Sequence, residues 1–144
     1  MLSSKSGIKA VDVLMSVHGT PTEIKLADGD IKMSTLKTNI LNAGVKNLRA
    51  LYTTACYGAD HNAEWIAAGF KVSAGAKAVN CNSGTEYPFF VAKWILGWTY
   101  EKALAPENDL VDQAQDALAK AAGFSDPDST KKIKGDKDLK ITTI

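Results

Sequence analysis

The residues with the most chemistry in this chain stand in two short stretches, His18-Gly19 and Cys56-Tyr57-Gly58. A cysteine attacks carbonyl carbon as its thiolate, and a neighbouring imidazole makes that thiolate available near neutral pH. The attack creates an oxyanion, which preorganised N–H donors stabilise. A glycine directly after the histidine lets backbone approach a substrate closely, so the N–H groups of Gly19 and Cys56 are the expected donors. Each residue alone has a plainer reading. Free cysteine is among the most buried residue types, and a histidine at a strand end can simply bond to backbone. Asp60-His61 reads as a turn into a helix, with His61 as a substitute base. Cys56, His61 and Cys81 are metal-ligating types, but their spacing is not that of a zinc finger and no fourth ligand is evident. Neither metal nor cofactor is expected.

These residues matter because of the elements that end beside them. Ile8 to Val17 is aliphatic with little alternation, the pattern of a strand covered on both faces, and Gly19 and Pro21 break it. Glu23 to Leu26 and Ile31 to Met33 flank Asp28-Gly29, which predicts a small β-hairpin off the main sheet. Ser34 or Thr35 is the expected cap of a helix carrying Leu36, Ile40, Leu41 and Val45, with Gly44 near its end. Leu48 to Ala55 reads as a second buried strand ending at Cys56. A short helix follows over Asn62 to Ala68, with Trp65 and Ile66 inward. Ala76 to Cys81 is the expected third strand, closed by Asn82-Ser83-Gly84.

Pro88 is placed in the first turn of an apolar helix with the stripe Phe90, Val91, Trp94, Ile95 and Trp98. This aromatic surplus is expected to be core, with a subunit interface as the alternative. Pro106 opens a further helix, with Glu107 and Asp109 near its positive end and Leu110, Val111, Ala114, Leu118 and Ala121 facing inward; Gly123 stops it. Ser125 to Asp138 reads as a polar tail and Leu139 to Ile144 as a last strand. Strands alternating with helices predict a mostly parallel sheet with helices on its faces, where chemistry collects outside the carboxyl ends of the strands. His18 and Cys56 both fall at such ends.

Composition narrows the function classes. The chain has 144 residues, 45% hydrophobic and 23% charged, with a formal charge of +1. That is globular, and it offers no basic footprint for nucleic acid or an anionic membrane. No apolar run reaches the ~20 residues of a membrane span. The first residues, Met1 to Ser6, lack the apolar core of a signal peptide, so a cytoplasmic protein is expected. Two cysteines do not make a disulfide scaffold, and reduced thiols are expected. Lys131, Lys132 and Lys134 are offset by Asp126, Asp128, Asp136 and Asp138, which reads as a solvated face. No phosphate-binding glycine motif is present.

A hydrophobic strand ending in His-Gly, here Val11 to Gly19, followed by one ending in Ala-Cys-x-Gly, here Leu51 to Gly58, resembles the caspase-like superfamily of cysteine peptidases, which includes caspases, legumains, gingipains and clostripain-like enzymes. The resemblance covers residues 8 to 84. It implies a three-layer αβα domain over 1–144, with His18 as catalytic imidazole and Cys56 as nucleophile. It also implies that Asn80, Cys81, Asn82 and Ser83 border the pocket for the residue before the cleaved bond, and that a peptide or protein is the substrate. The family carries two further βα units before its histidine strand, which are missing here, and its acidic specificity residues are not identifiable. Without those units Ile8 to Val17 would be an uncovered apolar edge, which predicts a homodimer. Two functions stay open: a cysteine-dependent hydrolase using His18 and Cys56, and a non-catalytic binding or assembly domain that retains the fold.

Overall fold

The computed structural model describes residues 7–104 and 109–143. In chain order the elements are β1 (Val11–Met15), β2 (His18–Gly19), β3 (Glu23–Leu26), β4 (Gly29–Lys32), α1 (Met33–Asn42), β5 (Leu48–Thr53), α2 (Gly58–Ala67), β6 (Val72–Ala76), α3 (Ser83–Ile95), α4 (Tyr100–Ala103), α5 (Asp109–Ala121) and β7 (Lys131–Gly135). The main sheet has the order β1-β5-β6-β7. β1, β5 and β6 run parallel, and β7 joins β6 antiparallel. The protein is thus a mixed α/β fold with a mostly parallel four-stranded sheet. A separate antiparallel sheet, β2-β3-β4, holds the expected hairpin and takes His18–Gly19 as its third strand.

Strand alternation divides the core between the two sheet faces. Ala50, Tyr52, Val72 and Ala74 meet Phe90 and Trp94 of α3 and Tyr100 of α4. Tyr52 stacks on Phe90 at 4.4 Å between ring centroids, and Trp94 meets Tyr100 edge-on at 5.7 Å. On the other face Leu48 and Leu51 meet Trp65 of α2, with Leu36 and Ile40 of α1 packed against them. A partly buried ion pair ties the elements of the first face together. Arg49 of β5 holds Asp12 of β1 through Nε at 2.8 Å and Nη2 at 2.7 Å, and Trp94 Nε1 donates to the same carboxylate at 2.9 Å.

Several expectations are corrected. The third parallel strand is Val72–Ala76, not Ala76 to Cys81; its small residues let it lie against the start of α2, where a Cβ on Gly75 would come within 2.3 Å of the Gly58 carbonyl carbon. The last strand is Lys131–Gly135, inside the supposed polar tail, and 139–143 forms none, although Leu139 is buried in the core. Lysines alternating on an edge strand suit a strand that must not recruit further partners. α1 begins at Met33 and uses neither Ser34 nor Thr35 as cap; the Thr22 carbonyl accepts from the Met33 N–H at 2.9 Å instead. α2 starts four residues before the expected Asn62. Pro88 lies inside α3 rather than in its first turn. Ile95 and Trp98 of its stripe are exposed.

α5 also turns the other way from expectation, with Leu110, Val111 and Leu118 exposed and Asp112 buried. Pro106 and Glu107, expected to open this helix, lie outside the described residues, as do residues 1–6 and Ile144. Among the described residues, no helix is long and apolar enough to cross a membrane.

Candidate active site

Thr54 ties the carboxyl ends of β1 and β5 together. Its backbone N–H donates to Met15 O at 3.0 Å, and its hydroxyl oxygen accepts from the Val17 N–H at 3.0 Å. The chain leaving β1 is thereby carried over the end of β5, and the next residues, His18-Gly19, lie on Ala55 and Cys56. The contact is close: a Cβ on Gly19 would stand 2.9 Å from Ala55 Cβ and 3.0 Å from Cys56 O. Only glycine fits there without movement.

Cys56 occupies the turn between β5 and α2. The next residue, Tyr57, is left-handed at φ 56°, ψ 21°, a conformation few non-glycine residues adopt. Its N–H donates to Ala78 O at 2.8 Å, which holds the strained turn in place. Gly58 then starts α2 against Gly75. The positive end of this ten-residue helix faces the turn that carries Cys56, which favours negative charge there.

His18 and Cys56 open into the same two cavities. The larger, about 510 Å³, is bordered by both residues with Asn80 and Cys81, and by Val79, Gln115, Leu118, Ala119 and Phe124. The smaller, about 140 Å³, shares His18, Cys56 and Asn80 and adds Ser16, Val17, Thr54 and Ser83. Another cavity, about 400 Å³, lies between the hairpin and the helices α1 and α2 and contains neither His18 nor a cysteine.

Of the four expected pocket residues, Asn80, Cys81 and Ser83 border these cavities. Asn82 does not: it is 1% exposed, and its amide donates to Asp112 while its oxygen faces Lys131. Asn80 touches the sulfur, its N–H donating to Cys56 Sγ at 3.4 Å, and its side-chain amide donates to Thr54 O at 2.8 Å. Both cysteines are free thiols. Burial, reinforced by Asp116 and Cys56, pushes the Cys81 thiol up, which makes Cys81 the poorer nucleophile at neutral pH.

His61 is fully buried and borders neither cavity, so the substitute-base role has no geometric support. Its Nε2 donates to Thr20 O at 2.7 Å, joining α2 to the turn after Gly19. Burial holds its pKa below the ordinary 6.5, which keeps the ring neutral. Among the described residues no group of three or more His, Cys, Asp or Glu side chains is placed to hold a metal ion.

Of the two expected oxyanion donors, Cys56 borders both cavities; Gly19 borders neither and follows His18, which borders both. Thr20 N–H is given to Glu23 O across the hairpin. Alternation in an antiparallel ladder then turns the Gly19 N–H away from β3.

One contributor was not visible in the sequence. Lys131 of β7 donates to Asn80 Oδ1 at 3.2 Å and pairs with Glu86 of α3 at 2.5 Å, so it holds the loop before α3 in position. Burial pushes the Glu86 carboxyl up, against the opposing pull of the Lys131 ammonium. Lys131 stands 51 positions from Asn80 and 45 from Glu86 (131 − 86), separations no local pattern carries.

No protein-family model matches the chain, and no curated protein matches it.

Proposed function

We propose that this protein is a cysteine-dependent hydrolase, a peptidase, built as a caspase-like three-layer αβα domain with His18 and Cys56 as its dyad. The observation that carries the reading is that an imidazole and a free thiol border the same cleft, with the glycine after the histidine packed so closely on the backbone of Ala55 and Cys56 that it tolerates no side chain.

The chemistry follows from these groups. His18 takes the Cys56 proton, and the thiolate adds to the scissile carbonyl, forming the C–S bond and pushing the π electrons onto oxygen. The N–H groups of Gly19 and Cys56 receive that oxyanion. As the carbonyl re-forms, the C–N bond breaks and His18 returns its proton to the leaving amine. A water molecule, deprotonated by His18, then cleaves the thioester to a carboxylic acid and restores the thiol. Asn80 holds the sulfur from the far side, and Cys81 and Ser83 border the bound chain. The substrate is a peptide or protein chain, and the compartment is the cytosol, where thiols stay reduced. A second copy occupies the outer edge of β1, which pairs only with β5 among the described residues.

The test is a screen of fluorogenic peptide amides near pH 7. Cys56→Ala should abolish turnover, and His18→Ala should lower kcat by about 10²–10⁴-fold. Chelators should leave turnover unchanged, because thiol–imidazole chemistry uses no metal. Turnover that survives Cys56→Ala, or that vanishes with chelator, contradicts the dyad. Peptide binding without any turnover would assign the chain to the assembly class instead.

A further inference from the structure

α5 is amphipathic with its polar side inward. Asp112 is buried and accepts from the Asn82 amide; Asp116 accepts from Ser129 Oγ at 2.6 Å and Ser129 N at 2.8 Å. These bonds fix the helix's rotation, so its apolar stripe is held in water. Leu110 is 79% exposed and Leu118 71%, with Phe124 just past the helix end at 59%. A stripe held out in this way marks a surface that something covers.

The lower end of that stripe runs into the candidate site. Leu118, Ala119 and Phe124 border the 510 Å³ cavity together with Val79 and Cys81, and His18 and Cys56 border it too. That volume falls within the about 300–1,000 Å³ usual for small-ligand sites. Among the described residues no Asp, Glu, Lys or Arg side chain borders the cavity. Lys131, which backs Asn80, has only 4% of its side chain exposed and is already paired with Glu86. Its charge is not available to an acidic substrate.

We propose that this cavity is the specificity subsite for a large apolar side chain, Leu, Met or Phe, of the peptide acted on at Cys56; its catalytic consequence rests on the dyad reading above. An apolar side chain entering it covers Leu118 and Phe124 and loses nothing polar. A Lys or Asp side chain would lose its hydration with no opposite charge to meet it.

Two measurements separate this subsite from the dyad. Tetrapeptide amides differing only in a final Phe, Leu, Lys or Asp are titrated by calorimetry into Cys56→Ala protein, where no turnover can occur. The same series, as fluorogenic amides, is offered to the wild-type enzyme. Phe and Leu peptides should bind about tenfold or more tightly than Lys and Asp peptides. Leu118→Asp, a change at an exposed position, should erase that preference while the melting temperature stays put, and Phe124→Ser should weaken it. Preference for Lys or Asp, no discrimination, no binding, or a preference that Leu118→Asp leaves intact overturns the subsite. Apolar peptides that bind Cys56→Ala protein but are never cleaved by wild type would keep the subsite and remove the hydrolase. Cleavage that favours Lys or Asp would keep the hydrolase and remove the subsite.

Discussion

Replacing Gly19 by alanine adds one methyl group at the contact on which the site depends. The new Cβ would stand 2.9 Å from Ala55 Cβ, 3.0 Å from Cys56 O and 3.2 Å from Glu23 O. Comfortable carbon contacts are about 3.5–4.0 Å, so β2 must retreat by roughly 0.5–1 Å. Two of the three obstructing atoms are backbone oxygens, and no rotamer change moves them aside. Overpacking of this kind costs about 1–3 kcal/mol. For a chain of this length that corresponds to a fall in Tm of roughly 3–9 °C. In the proposed dyad the same retreat would shift His18 relative to Cys56, and a displacement of about 1 Å in a reacting pair costs about a hundredfold in rate. Scanning calorimetry and peptide hydrolysis, run side by side on Gly19→Ala, check both numbers. Gly84→Ala is the control, since a Cβ there meets nothing within 4 Å. A Gly19→Ala protein with unchanged Tm and unchanged turnover would refute the claim that this contact sets the position of β2, and so of His18, over the Cys56 turn.

Arg49→Met should destabilise by about 1–3 kcal/mol in urea unfolding, because it leaves the partly buried Asp12 carboxylate with only the Trp94 N–H as partner; a loss below about 0.5 kcal/mol would show the pair contributes little. His61, with its folded pKa below the ordinary 6.5, contributes stability that is fully present above that value and is lost as the pH falls toward the folded value. Wild type should therefore lose stability between pH 7 and 5 more steeply than His61→Gln, which keeps a donor for Thr20 O without titrating; parallel curves would contradict this. Light scattering on a sizing column should give about twice the 15.4 kDa chain mass, through the open β1 edge; a monomer at micromolar concentration would count against it.

What the sequence disclosed, and what it hid, divides by the range of the interaction. β5 was readable because all six residues from Leu48 to Thr53 are buried, which leaves a mainly apolar run interrupted only by Arg49, ion-paired to Asp12, and Thr53. The hairpin was readable from Asp28-Gly29, and the two strand ends brought His18 and Cys56 forward together. β6 was misplaced because Val-Ser-Ala-Gly-Ala is chosen for smallness against Gly58, a contact between distant residues. β7 was hidden because alternating lysines on an edge look like an ordinary solvated face. α5 was inverted because its partners, Asn82 and Ser129, lie on other segments, and nothing in the helix itself says that Asp112 finds an amide. Asn82 was placed in the pocket by the family resemblance, and its own local sequence carried no sign that its amide would be buried against Asp112.

The most direct test of the His18–Cys56 pairing is the rate at which iodoacetamide alkylates each cysteine of the native protein at pH 7, followed by mass spectrometry. Cys56 should be modified well before Cys81, and His18→Ala should slow Cys56 by about tenfold or more while leaving Cys81 unchanged. Modification of Cys81 first, or a Cys56 rate indifferent to His18→Ala, would contradict a thiol activated by its neighbouring imidazole.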